Sequence, residues 1–207
     1  MTNKKYDVVA LGELLIDFTE NGLSEQGNPL LEANPGGAPC NVLSMLQKLG
    51  DKTAFIGKVG NDGFGHLLTK AVQEQGIDTT GLVYDNDVHT TLALVLKKEN
   101  GDRDFAFYRN PGADMNLKEK EVNESLIASS SIFHFGTLSL TDESVKKATQ
   151  KAVKVAKENG LTITGSIAGS KSIQIGATVM KVATLNIIDI AGKYKNTDFR
   201  KAVFNID

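Results

Sequence analysis

The sequence predicts an α/β protein with a doubly wound, Rossmann-like core and a small second β-sheet. Short apolar strands alternate with amphipathic helices between residues 8 and 76, which is typical of a parallel sheet covered by helices. An Asn-Gly hairpin within residues 90–108 then interrupts this alternation. A polar segment with short apolar runs, residues 13–35, predicts two more strands that do not fit the alternation either.

Each core element has a local signal. Gly50 and Gly76 follow apolar helical patterns and are predicted to end their helices, and Asp62 is a predicted N-cap. The last helix has an apolar face and a solvent-facing lysine stripe. The predicted core consists of strands at 8–11, 53–56 and 131–135 and helices at 39–49, 64–75 and 142–158. Residues 161–164 are interpreted as a further strand, beyond which the order of elements is not assigned.

The interrupting strands are expected to form a sheet of their own. Residues 90–96 and 104–108 flank the turn at Asn100-Gly101, whose residue types favour a tight hairpin turn. Paired with the strands of residues 13–35, this hairpin would build a small separate sheet over the core.

Composition excludes several classes of partner. The chain has 207 residues, of which 41% are hydrophobic and 23% charged, with a net charge of −2. We therefore expect no nucleic-acid partner. The single cysteine, Cys40, excludes an internal disulfide and fits a reducing compartment. With no apolar secretion segment at the start and no run of about 20 apolar residues, a cytoplasmic protein with no membrane partner is expected.

The run from Gly36 to Asn41 is the most informative chemical feature. Gly36 and Gly37 let the backbone bend and approach a ligand closely, and Pro39 suits the first turn of a helix. Asn41 adds an amide that both donates and accepts hydrogen bonds. The run predicts either a site for a hydroxylated or anionic small molecule, or a glycine turn before an ordinary helix.

Two more side chains, Asp17 and Arg109, are open to two interpretations. Asp17 is either an acceptor for substrate hydroxyls or a solvent-facing strand end. Arg109 either reaches a substrate or phosphate or forms a surface salt bridge. His134, inside an apolar strand, is interpreted as a core histidine. The histidines and the cysteine show no metal-ligand spacing.

Two glycine-rich segments are weaker candidates. The turn Gly60–Gly65 is interpreted as turn and cap chemistry before a helix. The segment Gly165–Ser172 differs from a Walker A loop at Ser170, which stands where a glycine is required to wrap a phosphate.

These pieces together resemble a known family. The run from Gly36 to Asn41, followed by Gly50 and Gly60, resembles the first signature of the ribokinase-like (PfkB) carbohydrate kinases, with Leu43 in place of a small residue. The segments VVALGELLIDF, VGNDGFG, DFAFYRNPGADM and FHFGTLSL are similar to bacterial fructokinases of that family. The resemblance covers residues 6 to about 160.

The resemblance implies a fold and an activity. The fold is a Rossmann-like three-layer α/β core with a small β-sheet lid, built from about 13–36 and 89–110. The activity is transfer of the ATP γ-phosphoryl group to a sugar hydroxyl, with Mg2+. The resemblance favours fructose as the sugar, with ribose, 2-keto-3-deoxygluconate or a nucleoside as alternatives. A homodimer through the lid is also implied. The implied sugar-binding residues are Asp17, Gly36, Gly37, Asn41, Arg109 and Gly136.

The motifs of the family's second half are not visible in this chain. Residues 161–207 lack the Asp-Pro-Asn strand end, the Asn-x-x-Glu motif and the Gly-Ala-Gly-Asp anion hole with the catalytic base. We therefore expect residues 1–160 to be the N-terminal part of a truncated ribokinase-like domain, and 161–207 to be an unassigned tail. The alternative function is an inactive sugar-binding or scaffold fragment without a nucleotide site.

Overall fold

The structure is a computed structural model that describes residues 4–97 and 103–166. No helix in these ranges is long and apolar enough to cross a bilayer. The strands are β1 (Tyr6–Leu11), β2 (Leu15–Leu23), β3 (Pro29–Gly36), β4 (Thr53–Gly60), β5 (Asp78–Asp85), β6 (Leu92–Lys97), β7 (Arg103–Tyr108), β8 (Ser130–Gly136) and β9 (Thr162–Ser166). The helices are α1 (Ala38–Lys48), α2 (Gly63–Glu74), α3 (Glu124–Ala128) and α4 (Glu143–Glu158).

The core is a five-stranded parallel sheet in the order β5-β4-β1-β8-β9. The central strand β1 pairs in parallel with β4 on one side and with β8 on the other. β4 and β8 pair in parallel with the outer strands β5 and β9. This topology confirms the doubly wound α/β core predicted from the alternation of strands and helices.

Helices cover both faces of this sheet, so the core has the three layers expected. Alternate side chains of β1 point to opposite faces, with Val8 and Ala10 towards α1 and α2, and Val9 and Leu11 towards α3 and α4. Leu43 on α1 is fully buried in the first of these clusters. The core therefore accommodates a large side chain at this position of α1.

The second sheet has four strands in the order β3-β2-β6-β7. β2 and β3 form one antiparallel hairpin, β6 and β7 form another, and β2 joins the two hairpins by parallel pairing with β6. This "small sheet" is the separate sheet predicted from the two interrupting segments. The predicted turn at Asn100-Gly101 lies outside the described residues.

The helix ends agree with the predictions from glycine and aspartate. Gly50 and Gly76 have positive φ angles of 92° and 85° directly after α1 and α2. Asp62 is the N-cap of α2, and its side chain accepts a hydrogen bond from the backbone N–H of Gly65.

Two elements are missed by sequence patterning. β5 is an outer strand of the core sheet, and most of its residues are half-buried or exposed. It therefore lacks the continuous apolar run of an inner strand. α3 has only five residues, too few for a helical period.

The core sheet continues past residue 160. β9 pairs with β8 from Ile132–Thr162 to Gly136–Ser166, which confirms the strand predicted near Leu161–Thr164. The Walker-like segment lies mostly outside the described residues, which end at Ser166 on this side.

Candidate functional site

The four connections between the two sheets all lie at the carboxyl end of the parallel strands. They lead from β1 to β2, from β3 to α1, from β5 to β6, and from β7 back to the core through the short turn Ala113–Asn116. Ligands of open α/β sheets bind beyond the carboxyl ends of the strands. This edge of the core, facing the small sheet, is therefore the candidate site.

Asp17 and Gly36 lie close together at this edge. Asp17 is half-buried on β2, and a Cβ atom placed on Gly36 would lie 2.1 Å from its Oδ2 atom. The missing side chain of Gly36 thus makes room for the carboxylate. Burial raises the pKa of Asp17. Within the described part of the chain its carboxylate accepts no hydrogen bond, so it can accept one from a ligand.

Gly37 is the turn between the small sheet and α1. Its φ of 127° favours glycine, and a Cβ atom there would lie 2.3 Å from the carbonyl oxygen of Glu13. The next residue, Ala38, donates its backbone N–H to Oε1 of Glu13 at 2.9 Å. The start of α1 is therefore fixed against the end of β1 by a close backbone approach and a hydrogen bond.

Asn41 lies in the first turn of α1 and is exposed. Its backbone N–H bonds to the carbonyl oxygen of Gly37 at 3.0 Å. Its side-chain amide has no hydrogen-bond partner among the described residues. The amide is thus available to a ligand.

Arg109 forms a buried ion pair with Asp114 rather than a surface salt bridge. Its Nε donates to Oδ2 of Asp114 at 2.8 Å, and its Nη1 donates to Oγ1 of Thr141 at 3.2 Å. The Arg109 and Asp114 side chains are only 10% and 3% exposed. Oδ1 of Asp114 also accepts a hydrogen bond from the hydroxyl of Thr91. The guanidinium is therefore rigidly oriented.

Gly136, at the end of β8, is close to the start of α1. A Cβ atom placed there would lie 2.8 Å from both Oε2 of Glu13 and Cγ of Pro39. The site thus includes the ends of two adjacent core strands, β1 and β8, with the first turn of α1 packed against both.

Glu13 is the ionisable residue of this site that the sequence analysis misses. It is 3% exposed. Burial is the main reason that the pKa of Glu13 is raised, to about 7. The negative charge of Asp114 also raises this pKa, whereas the hydrogen bond from Ala38 and the positive charge of Arg109 lower it. The available signal was a single charged residue between the apolar runs VVAL and LLI.

His134 is a core histidine, as predicted. Its ring nitrogens lie 2.8 Å from Oγ1 of Thr164 and 2.8 Å from Oγ of Ser166, on the neighbouring strand β9. Complete burial lowers its pKa to about 4, so the ring is neutral near pH 7. It links two strands and carries no charge for catalysis.

The turn Gly60–Gly65 also has the structural role predicted for it. Besides capping α2, the carboxylate of Asp62 accepts hydrogen bonds at 2.8 Å from both the backbone N–H and the hydroxyl of Thr90. The hydroxyl oxygen of Thr90 in turn accepts a hydrogen bond from the backbone N–H of Gly60 at 3.0 Å. The turn thereby anchors the connection that leads into β6.

A model of the pfkB family carbohydrate kinases matches residues 5–191. The chain belongs to this family. The match extends beyond residue 160, where the visible motifs end. A probable fructokinase-5 of Arabidopsis thaliana is 42% identical over 193 residues, covering 85% of this chain and 59% of that protein. The chain spans about half to three-fifths of the length of such curated relatives.

Solved structures of the family have the same fold. The fructokinase of Halothermothrix orenii matches with a TM-score of 0.68 and 30% identity, over 77% of this chain and 56% of that one. A putative ribokinase II of E. coli, in complex with ATP and Mg2+, matches with a TM-score of 0.68 and 29% identity, over 77% and 52% of the two chains. The ribokinase-like architecture expected from the resemblance is thereby confirmed.

Residues 4–97 and 103–166 contain no group of three His, Cys, Asp or Glu side chains that could bind a metal ion. We therefore assign neither ATP nor Mg2+ to any described residue.

Substitution of Gly37 tests the close approach at the start of α1. We expect Gly37→Ala to lower the free energy of unfolding by about 3 kcal/mol or more, because the new Cβ meets the Glu13 carbonyl and the residue must keep a positive φ. Gly50→Ala is the matched control, since Gly50 also has a positive φ but has no atom within 4 Å of its Cβ position. It should cost only about 1 kcal/mol. Equal losses in urea unfolding would contradict this account.

Proposed function

We propose that the protein transfers the γ-phosphoryl group of ATP to a hydroxyl group of fructose. The proposal is supported by the family and by the fructokinase names of its relatives. The observation that carries it is that the carboxylate of Asp17, beside Gly36, and the amide of Asn41, in the first turn of α1, both lack hydrogen-bond partners among the described residues. Such a pair suits a ligand with several hydroxyl groups, which both donate and accept hydrogen bonds.

Each residue of the site has a role in this proposal. Asp17 accepts hydrogen bonds from sugar hydroxyls, and the Asn41 amide binds a further hydroxyl. Gly36 and Gly37 allow the sugar to approach the backbone closely, and Gly136 does the same at the end of β8. Arg109, held by Asp114, presents its guanidinium edge to the sugar from the connection below the small sheet.

The small sheet would act as a lid. Closing over the sugar, it would exclude water, so that the phosphoryl group is transferred to the sugar and not to water. ATP and Mg2+ are part of the proposal because a related kinase structure contains both. Mg2+ would neutralise charge on the transferred phosphoryl group.

Neither the described residues nor the relatives favour an inactive sugar-binding fragment over the kinase. The cytoplasmic location stays a prediction of the sequence.

Replacement of Asp17 tests the sugar site. Asp17→Asn should weaken fructose binding about 10- to 100-fold, because a hydrogen bond to a charged group contributes about 1.5–3 kcal/mol. Glu20→Gln, an exposed position on the same strand, is the matched control and should bind as the unmodified chain does. Titration calorimetry with fructose measures the affinities, and a coupled assay for ADP release measures phosphoryl transfer. Absence of both binding and ADP release in the unmodified chain would contradict the proposed function.

A second copy of the chain is the proposed partner of the small sheet. Phe105 and Phe107 on β7 are 49% and 54% exposed, and their rings stack with centroids 6.0 Å apart. Large exposed aromatic side chains are typical of protein interfaces. Sedimentation velocity should show a dimer that Phe107→Ser shifts towards the monomer, whereas a monomeric unmodified chain would contradict the proposal.

A further inference from the structure

Glu13 has one buried oxygen without a hydrogen bond. Its Oε1 accepts the N–H of Ala38, whereas its Oε2 is buried and has no hydrogen-bond partner in the described part of the chain. Buried polar atoms in proteins are nearly always hydrogen-bonded to protein, water or ligand. A buried carboxylate oxygen left alone is costly, and more so when the group is ionised. The oxygen therefore has no partner among the described residues and is open to a hydrogen bond from a ligand or water.

The surroundings of this oxygen belong to the candidate site. Oε2 is the atom that a Cβ on Gly136 would approach to 2.8 Å, so it lies beside the end of β8. Among the described residues, one other buried side-chain atom makes no hydrogen bond, Nη2 of Arg109. Nη2 lies 2.7 Å from Oδ2 of Asp114, so its charge is paired with that carboxylate. The unused polar atom of the site is therefore Oε2 of Glu13.

We propose that Glu13 binds a hydroxyl group of the substrate site through Oε2, while its Oε1 holds the start of α1. This proposal rests on the proposed function and deepens it, because it adds a residue to the sugar site. The hydroxyl is either one of the sugar's own or that of a water molecule that holds the sugar. One residue would then determine both the position of the Gly36–Asn41 segment and the recognition of a polar group beside it.

Hydroxyl binding at Oε2 makes sugar binding depend on pH. A hydroxyl donates to the ionised carboxylate, and the pKa of Glu13 is about 7. Below this pH, Glu13 is increasingly protonated in the free protein. The affinity for the sugar therefore decreases as the pH falls, by up to about tenfold for each pH unit. Two other charged groups shift the pKa of Glu13, namely Asp114 and Arg109. Cys40 also lies within range of the Glu13 charge, and burial raises the pKa of this thiol to about 12.

Titration calorimetry with fructose from pH 5.5 to 8.5 tests the proposal. The unmodified chain should bind more tightly as the pH rises to about 7 and be constant above it. Glu13→Gln keeps an oxygen for Ala38 but removes the charged acceptor, so it should bind at least tenfold more weakly at pH 8 and lose this pH dependence. The control, Glu143→Gln, replaces a side chain that is 70% exposed on α4 and should match the unmodified chain.

Deoxy sugars identify the source of the hydroxyl. If the sugar donates it directly, one monodeoxy analogue of fructose should bind equally to the unmodified chain and to Glu13→Gln. If water donates it, every analogue should show the same loss in the variant. Both results support the proposal.

Two results overturn it in distinguishable ways. Unchanged fructose affinity in a folded Glu13→Gln variant contradicts the role of Glu13 alone. No fructose binding by the unmodified chain contradicts the proposed function as well. Should Glu13→Gln fail to give the circular dichroism spectrum of the folded chain, a pH-independent affinity of the unmodified chain between pH 5.5 and 8.5 would itself overturn the proposal.

Discussion

The arrangement of the two sheets depends on the buried carboxylate of Asp114. It accepts hydrogen bonds from Arg109 and from Thr91, and so joins the connection that enters β6 to the connection that leaves β7. Loss of one partner of a buried ion pair leaves an uncompensated charge in a dry environment, which costs about 3–5 kcal/mol. This cost makes the relative position of the two connections well defined.

Similar contacts hold the chain at other points along the same edge. The carboxylate of Asp62 holds Thr90, before β6, and the carboxylate of Glu13 holds Ala38, at the start of α1. Each is a carboxylate that accepts backbone N–H groups at a point where the chain passes between the sheets. The small sheet is therefore attached to the core at fixed points, and Asp17 is carried by it to the edge where α1 begins. The geometry of the sugar site that we propose follows from this attachment.

Much of this architecture is predictable from the sequence, because it depends on local signals. Apolar runs, helical spacing and terminal glycines are enough to place most core elements, and residue types at the Gly36 turn predict a site there. The rest depends on tertiary contacts. β5 has no apolar run because it is an outer strand, and the burial of Glu13 follows from its position under Gly37. The pairing of Arg109 with Asp114 becomes visible only when the connections fold together, and so does the short contact between Asp17 and Gly36.

A double-mutant cycle of Arg109 and Asp114 tests this account most directly. The free energies of unfolding in urea are compared for Arg109→Gln, Asp114→Asn, the double variant and the unmodified chain. If the buried pair holds the two connections together, each single variant loses about 3–5 kcal/mol. The double variant then loses less than the sum, by about 2 kcal/mol or more. Losses that add to within about 0.5 kcal/mol would contradict the central role of this pair.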